Sequence, residues 1–232
     1  MFNRVVAVVL MLSLAACAAP RPRRPAPQPP GAAGTSLLAL PAPGEYKIDS
    51  GNSELRLLVY RAGPLARLGH NHVMVNRALR GSARIADSIA ATSFSLTMPA
   101  SAFAVDDAQS RAEEGDDFPG DIPEDAKAGT RRNMQSPAVL NAAEFPDISV
   151  SSASLSGTLQ ALTADLEISA AGHRSKISAP LILQGDAHHL VAIGSMELRQ
   201  TALGLAPYSL MGGALQVQDA MQLKFKITLL MN

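Results

Sequence analysis

Tryptophan is absent from this chain, cysteine occurs once and tyrosine three times in 232 residues. Each scarcity removes a class of protein. A transmembrane β-barrel sets girdles of aromatic residues at both lipid interfaces, and three tyrosines are too few to furnish them. A lone cysteine, Cys17, forms no intramolecular disulfide and no zinc–thiolate cluster. Twenty basic and twenty acidic side chains cancel to zero net charge, which argues against nucleic acid or any strongly charged partner. The first apolar run stops at Pro20, Arg21, Arg23 and Arg24, short of the about 18 residues a membrane-crossing helix needs. Catalytic signatures are missing too: the chain has no Gly-x-Ser-x-Gly elbow, no Gly-rich phosphate loop and no His-Glu-x-x-His. The expectation is a protein without catalytic residues and without a cofactor, stabilised by its core alone.

What is present begins with an address. Arg4 gives a basic start, Val5 to Leu14 an apolar run, and Leu14-Ala15-Ala16-Cys17 a small-residue ending, the layout of a secretory signal over residues 1–16. That ending resembles the lipobox of bacterial lipoproteins, which implies acylation of the Cys17 thiol and anchoring at a membrane. A plain soluble export signal is the alternative. Ala18 stands where an aspartate would resemble an inner-membrane retention signal, so the expected location is the bacterial cell envelope, at the outer membrane facing the periplasm. Residues 17–43 carry Pro20, Pro22, Pro25, Pro27, Pro29 and Pro30 among Ala, Arg and Gln. Proline fixes φ and lacks a donor, so this stretch reads as an extended tether.

Residues 44–232 change to short alternating segments. In the last of them Met221, Leu223, Phe225, Ile227 and Leu229 share one face while Gln222, Lys224, Lys226 and Thr228 share the other, a period of two. The same alternation recurs at Leu55, Leu57 and Val59; at Phe94, Leu96 and Met98; at Ala164, Leu166 and Ile168; and at Ile177, Ala179, Leu181 and Leu183. Gly81, Gly157, Gly172 and Gly185 lie between such runs as hairpin punctuation. One short helix is expected from Glu124 to Gln135, with acids early and bases late. The acidic residues from Asp106 to Asp121 lack EF-hand spacing and read as a solvated loop. About eight strands that are apolar on one face must close into a barrel or split into a sandwich. The expected class is all-β, a lipocalin-like antiparallel barrel whose interior is either filled by side chains or holds one small apolar ligand.

Several short segments, taken in order, resemble the YceI-like domain family. They are Glu45-Tyr46-Lys47-Ile48-Asp49, Leu68-Gly69-His70, Arg80-Gly81-Ser82-Ala83-Arg84-Ile85, Phe94-Ser95-Leu96-Thr97-Met98, Phe145-Pro146-Asp147-Ile148 and Leu198-Arg199-Gln200-Thr201. The resemblance implies a barrel that encloses a long isoprenoid or related amphiphile, as carrier, store or transporter, with no enzymatic step. Leu96, Met98, Leu223, Phe225 and Ile227 are then candidate lumen residues, and Arg199, His70 and His72 candidate headgroup contacts at the mouth. His70 and His72 would share one face of a strand, which makes a metal site the alternative reading; two imidazoles fall short of a normal ligand set, and no metal is expected. A filled barrel acting only through its outer surface is the remaining alternative. The oligomeric state is not legible.

Overall fold

The computed structural model describes residues 41–232. The segment 1–16 expected to be a signal, Cys17, and the part of the expected tether up to residue 40 lie outside the described residues. Period-two patterning produces strands throughout: β1 (Gly44–Ile48), β2 (Glu54–Ala62), β3 (His72–Asn76), β4 (Arg80–Ile85), β5 (Ser93–Pro99), β6 (Ala104–Val105), β7 (Asp147–Thr158), β8 (Ala161–Ala170), β9 (His173–Gly185), β10 (His189–Arg199), β11 (Ser209–Leu210) and β12 (Leu215–Met231). Two α-helices, α1 (Ala108–Glu113) and α2 (Glu124–Gln135), lie between β6 and β7.

Pairing closes these strands into an eight-stave antiparallel barrel. Going round, β1 pairs β4, then β5, β7, β8, β9, β10 and β12 follow, and β12 returns to β1. The surplus of strands over staves has a simple origin. Both β1 and β2 run along the same side of β12, opposite Leu229–Met231 and Gln216–Lys226 respectively. In the same way β4 pairs β1 while β3 pairs β2, and β5 pairs β4 while β6 pairs β3. Three neighbouring staves are therefore each broken in two, at residues 49–53, 77–79 and 100–103. Buried and half-buried polar side chains hold the breaks. Thr228 N–H donates to Ser53 Oγ (2.9 Å), Ser50 Oγ donates to the Leu79 carbonyl (2.5 Å), and Asn76 Nδ2 donates to the Pro99 carbonyl (2.9 Å). Backbone polar groups freed where a ladder stops must find such partners when buried.

The alternating apolar faces meet inside the ring. Tyr46, Val59, Met74, Leu79, Leu96, Met98, Phe103, Leu190, Leu198, Ile227 and Leu229 belong to one buried cluster, and a smaller one, Leu58, Val73, Val75 and Phe118, sits outside the wall under the α1 region. The helix expected from Glu124 to Gln135 spans those residues.

Two local expectations differ from what forms. Gly81 is no hairpin residue; it lies within β4 at φ 150°, where a Cβ would stand 2.1 Å from the Ser95 carbonyl oxygen. The strands approach too closely there for any side chain. The acidic stretch is not a bare loop either. Asp107 caps α1 by accepting from Ser110 N–H (3.0 Å). Asp106 and Arg111 are buried, because each supplies the partner that the other needs away from water.

Candidate functional site

In-facing side chains do not fill the barrel. Two cavities follow one another along its interior, of about 640 and 370 Å³. Both fall in the range of roughly 300–1,000 Å³ common to small-molecule sites. Leu55 and Leu223 line both, so the chambers meet at those residues. β12 traverses the pair: Leu229, Ile227 and Phe225 face the larger chamber, Met221 and Val217 the smaller. Between Val217 and Leu229 the strand covers roughly 40 Å at about 3.4 Å per residue, which barrel tilt shortens to roughly 30 Å along the axis.

The two chambers differ in chemistry. The larger one is walled by aliphatic side chains of β8 and β9, including Leu162, Leu166, Leu181 and Leu183, with Ala192 of β10 and Ile227 of β12 beside them. Its rim is formed by Pro41, Ala42 and Pro43 on one side and residues 86–89 on the other. Tyr46 secures that rim: its hydroxyl donates to the Ala187 carbonyl at 2.5 Å and lies 2.9 Å from that of Ala42. The smaller chamber mixes Leu57, Val59, Met98 and Leu140 with polar groups from Arg61, His70, His72, Gln200 and Tyr208.

His72 is the best-positioned of those polar groups. Its Nδ1 lies 2.6 Å from Oδ2 of Asp106, a carboxylate with no exposed surface. Asp106 Oδ1 in turn accepts from Val73 N–H (2.9 Å) and Arg111 Nη1 (2.7 Å). Burial by itself would raise the Asp106 pKa, but the hydrogen bond and charge of His72, with the donations from Val73 and Arg111, override it and hold the carboxyl below its ordinary value. An ionised carboxylate only accepts, so Nδ1 of His72 carries the proton and Nε2 remains for the chamber. His70 is close, with ring centroids 6.3 Å apart. Among the described residues no three His, Cys, Asp or Glu side chains gather as a metal-ligand group.

The candidate residues divide as follows. Leu96, Phe225 and Ile227 line the larger chamber, Met98, His70 and His72 the smaller, and Leu223 both. Arg199 joins neither; its side chain is 61% exposed and pairs with Glu197 (3.2 Å) and Asp219 (3.7 Å) on the outer wall. The parity of β10 explains this, since Leu198 faces the core and its neighbour must face out. Leu181, Leu183 and Ala192 were available from the same alternation as lumen residues. The Asp106–His72 pair was not, because it joins strand to loop across 34 positions.

The wall itself has a weak seam. β9 and β10 pair only through Ile182–Gly185 and Leu190–Ile193, a fraction of each strand. The Leu183 N–H points to the Leu159 carbonyl on the β8 side; alternation then turns the nitrogen of Pro180 toward β10, where proline has no hydrogen to donate. Past that point the strands part and an outer cleft of about 690 Å³ opens, lined by Pro180, Ser195, Arg56 and Lys224. Leu162, Leu181 and Phe225 border both this cleft and the larger chamber. The Phe225 ring closes the seam by lying on Gly194, where a Cβ would come within 2.2 Å of the ring. On the same outer wall Arg56 bonds Glu54, Glu113 and Glu114, and Lys224 also reaches Glu114. Burial raises the Glu114 pKa, and the contacts of Lys224 and Arg56 more than reverse that.

A family model described as YceI-like domain matches residues 46–229. Among solved structures the chain is similar to BcnA of Burkholderia cenocepacia, with a TM-score of 0.58 at 10% identity, over 78% of this chain and 98% of that one. It is also similar to a polyisoprenoid binding domain from Saccharophagus degradans implicated in plant cell wall breakdown, with a TM-score of 0.54 at 10% identity, over 81% and 98% of the two chains. At such identity these likenesses concern the fold. No match to a curated protein was found.

Proposed function

The chain belongs to the YceI-like domain family, and from that membership we propose that it is a binding protein for an amphiphilic lipid of polyisoprenoid type, carried with its tail in the larger chamber and its head in the smaller. One observation carries the reading: a hollow, aliphatic lumen of about 640 Å³ continues into a second chamber that contains hydrogen-bonding groups. Moving an oily chain from water into such a space is favourable by about 0.8 kcal/mol per methylene, and needs no catalytic group. His72 Nε2, fixed in direction by Asp106, is the head contact, with His70 beside it. The solved polyisoprenoid binding domain from Saccharophagus degradans supports the choice of ligand class. A role as carrier, store or transporter follows from binding without turnover.

In this proposal the protein is a lipoprotein of the bacterial envelope, held by acylated Cys17 at the outer membrane and facing the periplasm. The Leu14-Ala15-Ala16-Cys17 ending and the proline-rich stretch after it support that placement. Native mass spectrometry of the full chain, purified gently from its own host, tests the ligand: a co-isolated apolar amphiphile is expected, and a persistently empty protein refutes the reading. Labelling with a radioactive fatty acid tests the anchor. Label on the unaltered chain and none on Cys17→Ser is expected; equal label on both removes the anchor from the proposal and leaves the lumen untouched.

A further inference from the structure

Large apolar side chains exposed to water are few among the described residues, and they are not scattered. Leu68 (64% exposed), Leu210 (43%) and Met211 (76%) stand together; Leu230 lies apart, near the other end of β12. Leu68 and Leu210 line the smaller chamber, and Met211 is next in sequence after Leu210. Two loops carry them, and the loops are joined. The Leu65 N–H donates to the Ala214 carbonyl (2.8 Å), and Leu210 pairs with Leu215 at the start of β12. Met211 also has a positive φ of 53°, a backbone conformation that non-glycine residues seldom adopt. Arg61 and Arg67 flank the patch, both exposed, and neither enters an ion pair among the described residues. The Arg61 guanidinium donates only to the Gly69 carbonyl (2.6 Å), a neutral partner that leaves its charge uncompensated.

A contiguous apolar rim at the mouth of an apolar cavity asks for an apolar cover. Two features select what that cover is. The cavity opens within the patch, so whatever faces the patch also faces the lumen, and an alkyl chain leaving the lumen would pass directly into the cover. The guanidinium groups beside the apolar side chains, without a carboxylate partner among the described residues, complement anionic headgroups, the arrangement by which surface-bound proteins hold a bilayer without crossing it. We propose that this rim is a membrane-docking surface: Leu68, Leu210 and Met211 enter the headgroup layer of an anionic lipid surface, with Arg61 and Arg67 on its phosphates. The smaller chamber then opens onto lipid and not onto water. This goes beyond lipid binding in the lumen, and it does not require the acyl anchor.

The test uses the full chain in a Cys17→Ser background, so that an introduced cysteine is the sole labelling site. An environment-sensitive dye is placed at Met211→Cys, and in a second protein at Ser195→Cys in the outer-wall cleft. Vesicles of phosphatidylcholine with phosphatidylglycerol are added, and separately vesicles of phosphatidylcholine alone. A blue shift of the dye at position 211 with the anionic vesicles, no shift at 195, and loss of at least half the shift in Arg61→Gln/Arg67→Gln are expected. No shift at 211, or equal shifts at 211 and 195, overturns the proposal. So does an undiminished shift in the double arginine variant, provided its circular dichroism is that of the parent. The measurement contains no lumen ligand, so its failure would leave the reading of the lumen standing, and an empty lumen would leave this result standing.

Discussion

Replacing Ala192 by leucine separates a lumen that holds a ligand from one that is only loosely packed. Ala192 sits in β10 between Leu183 of β9 and Ile227 of β12, is half-buried, and borders the larger chamber. Leucine adds three carbons that project into a space of about 640 Å³. If an alkyl tail occupies that space, three methylenes must leave it, at about 0.8 kcal/mol each. The total, about 2.4 kcal/mol, corresponds to a roughly 60-fold loss of affinity. Folding should not suffer, because the added atoms enter a void and make contacts where there were none. The assay is titration of a fluorescent apolar amphiphile, with thermal unfolding in parallel and Lys226→Gln on the outward face as control. Affinity within a factor of about three of the parent would refute the assignment of the tail to this chamber. A loss of several kcal/mol in stability would refute the claim that the space is empty of protein.

The remaining expectations concern the supports of the site. Asp106→Ala strands the buried Arg111 guanidinium, whose side chain is 3% exposed, and should cost about 3–5 kcal/mol in urea unfolding at neutral pH; the double variant with Arg111→Met should recover part of it. Asp106, Asp107 and Glu114 all have pKa values lowered by folding. A depressed carboxyl stabilises the fold above its unfolded value of roughly 3.9–4.3, and that stability disappears as pH falls through the lower folded value. The urea midpoint should therefore change little from pH 7 to about pH 5.5 and drop steeply below about pH 4. Gly194→Ala drives a Cβ to 2.2 Å from the Phe225 ring and 2.7 Å from the Pro180 carbonyl. It should destabilise by about 1–3 kcal/mol and push the ring into the lumen, so that amphiphile capacity falls with it; an unaltered thermal midpoint would contradict the close packing of the seam.

Strand parity makes much of this lumen legible in the sequence. The alternation in the final segment placed Leu223, Phe225 and Ile227 on the inward face, where they line the chambers. It also places Arg199 outward, beside inward Leu198, so a headgroup contact for Arg199 conflicts with the parity of its own strand. The charge order of Glu124 to Gln135 identified α2 because a helix is a local structure. What escaped was non-local. The breaks in three staves depend on which strands share an edge of β12, and the burial of Asp106 depends on Arg111 and His72 arriving from elsewhere. The seam was half visible: Pro180 in the middle of an alternating run marks a strand edge, but only the pairing says that the edge faces β10.

The stave breaks make a barrel with two unlike halves, and this difference is measurable. β7, β8, β9, β10 and β12 run ten residues or more without interruption, whereas the staves built from β1 to β6 are pieces joined by side-chain hydrogen bonds. Asn76 is the central joint. It is fully buried, donates to the Pro99 carbonyl (2.9 Å), and accepts from the Ala78 N–H (3.0 Å), tying the second and third staves at the level where both break. Asn76→Ala leaves that carbonyl and that N–H without partners, each at about 1–3 kcal/mol. The loss should fall on one side of the barrel. Amide exchange is expected to accelerate in β3, β4 and β6 while β8 holds its protection, because the long staves keep their own ladders. Uniform acceleration around the whole ring would show that the broken staves open only together with the rest, and a stability loss below about 1 kcal/mol would show that the joint bears no load.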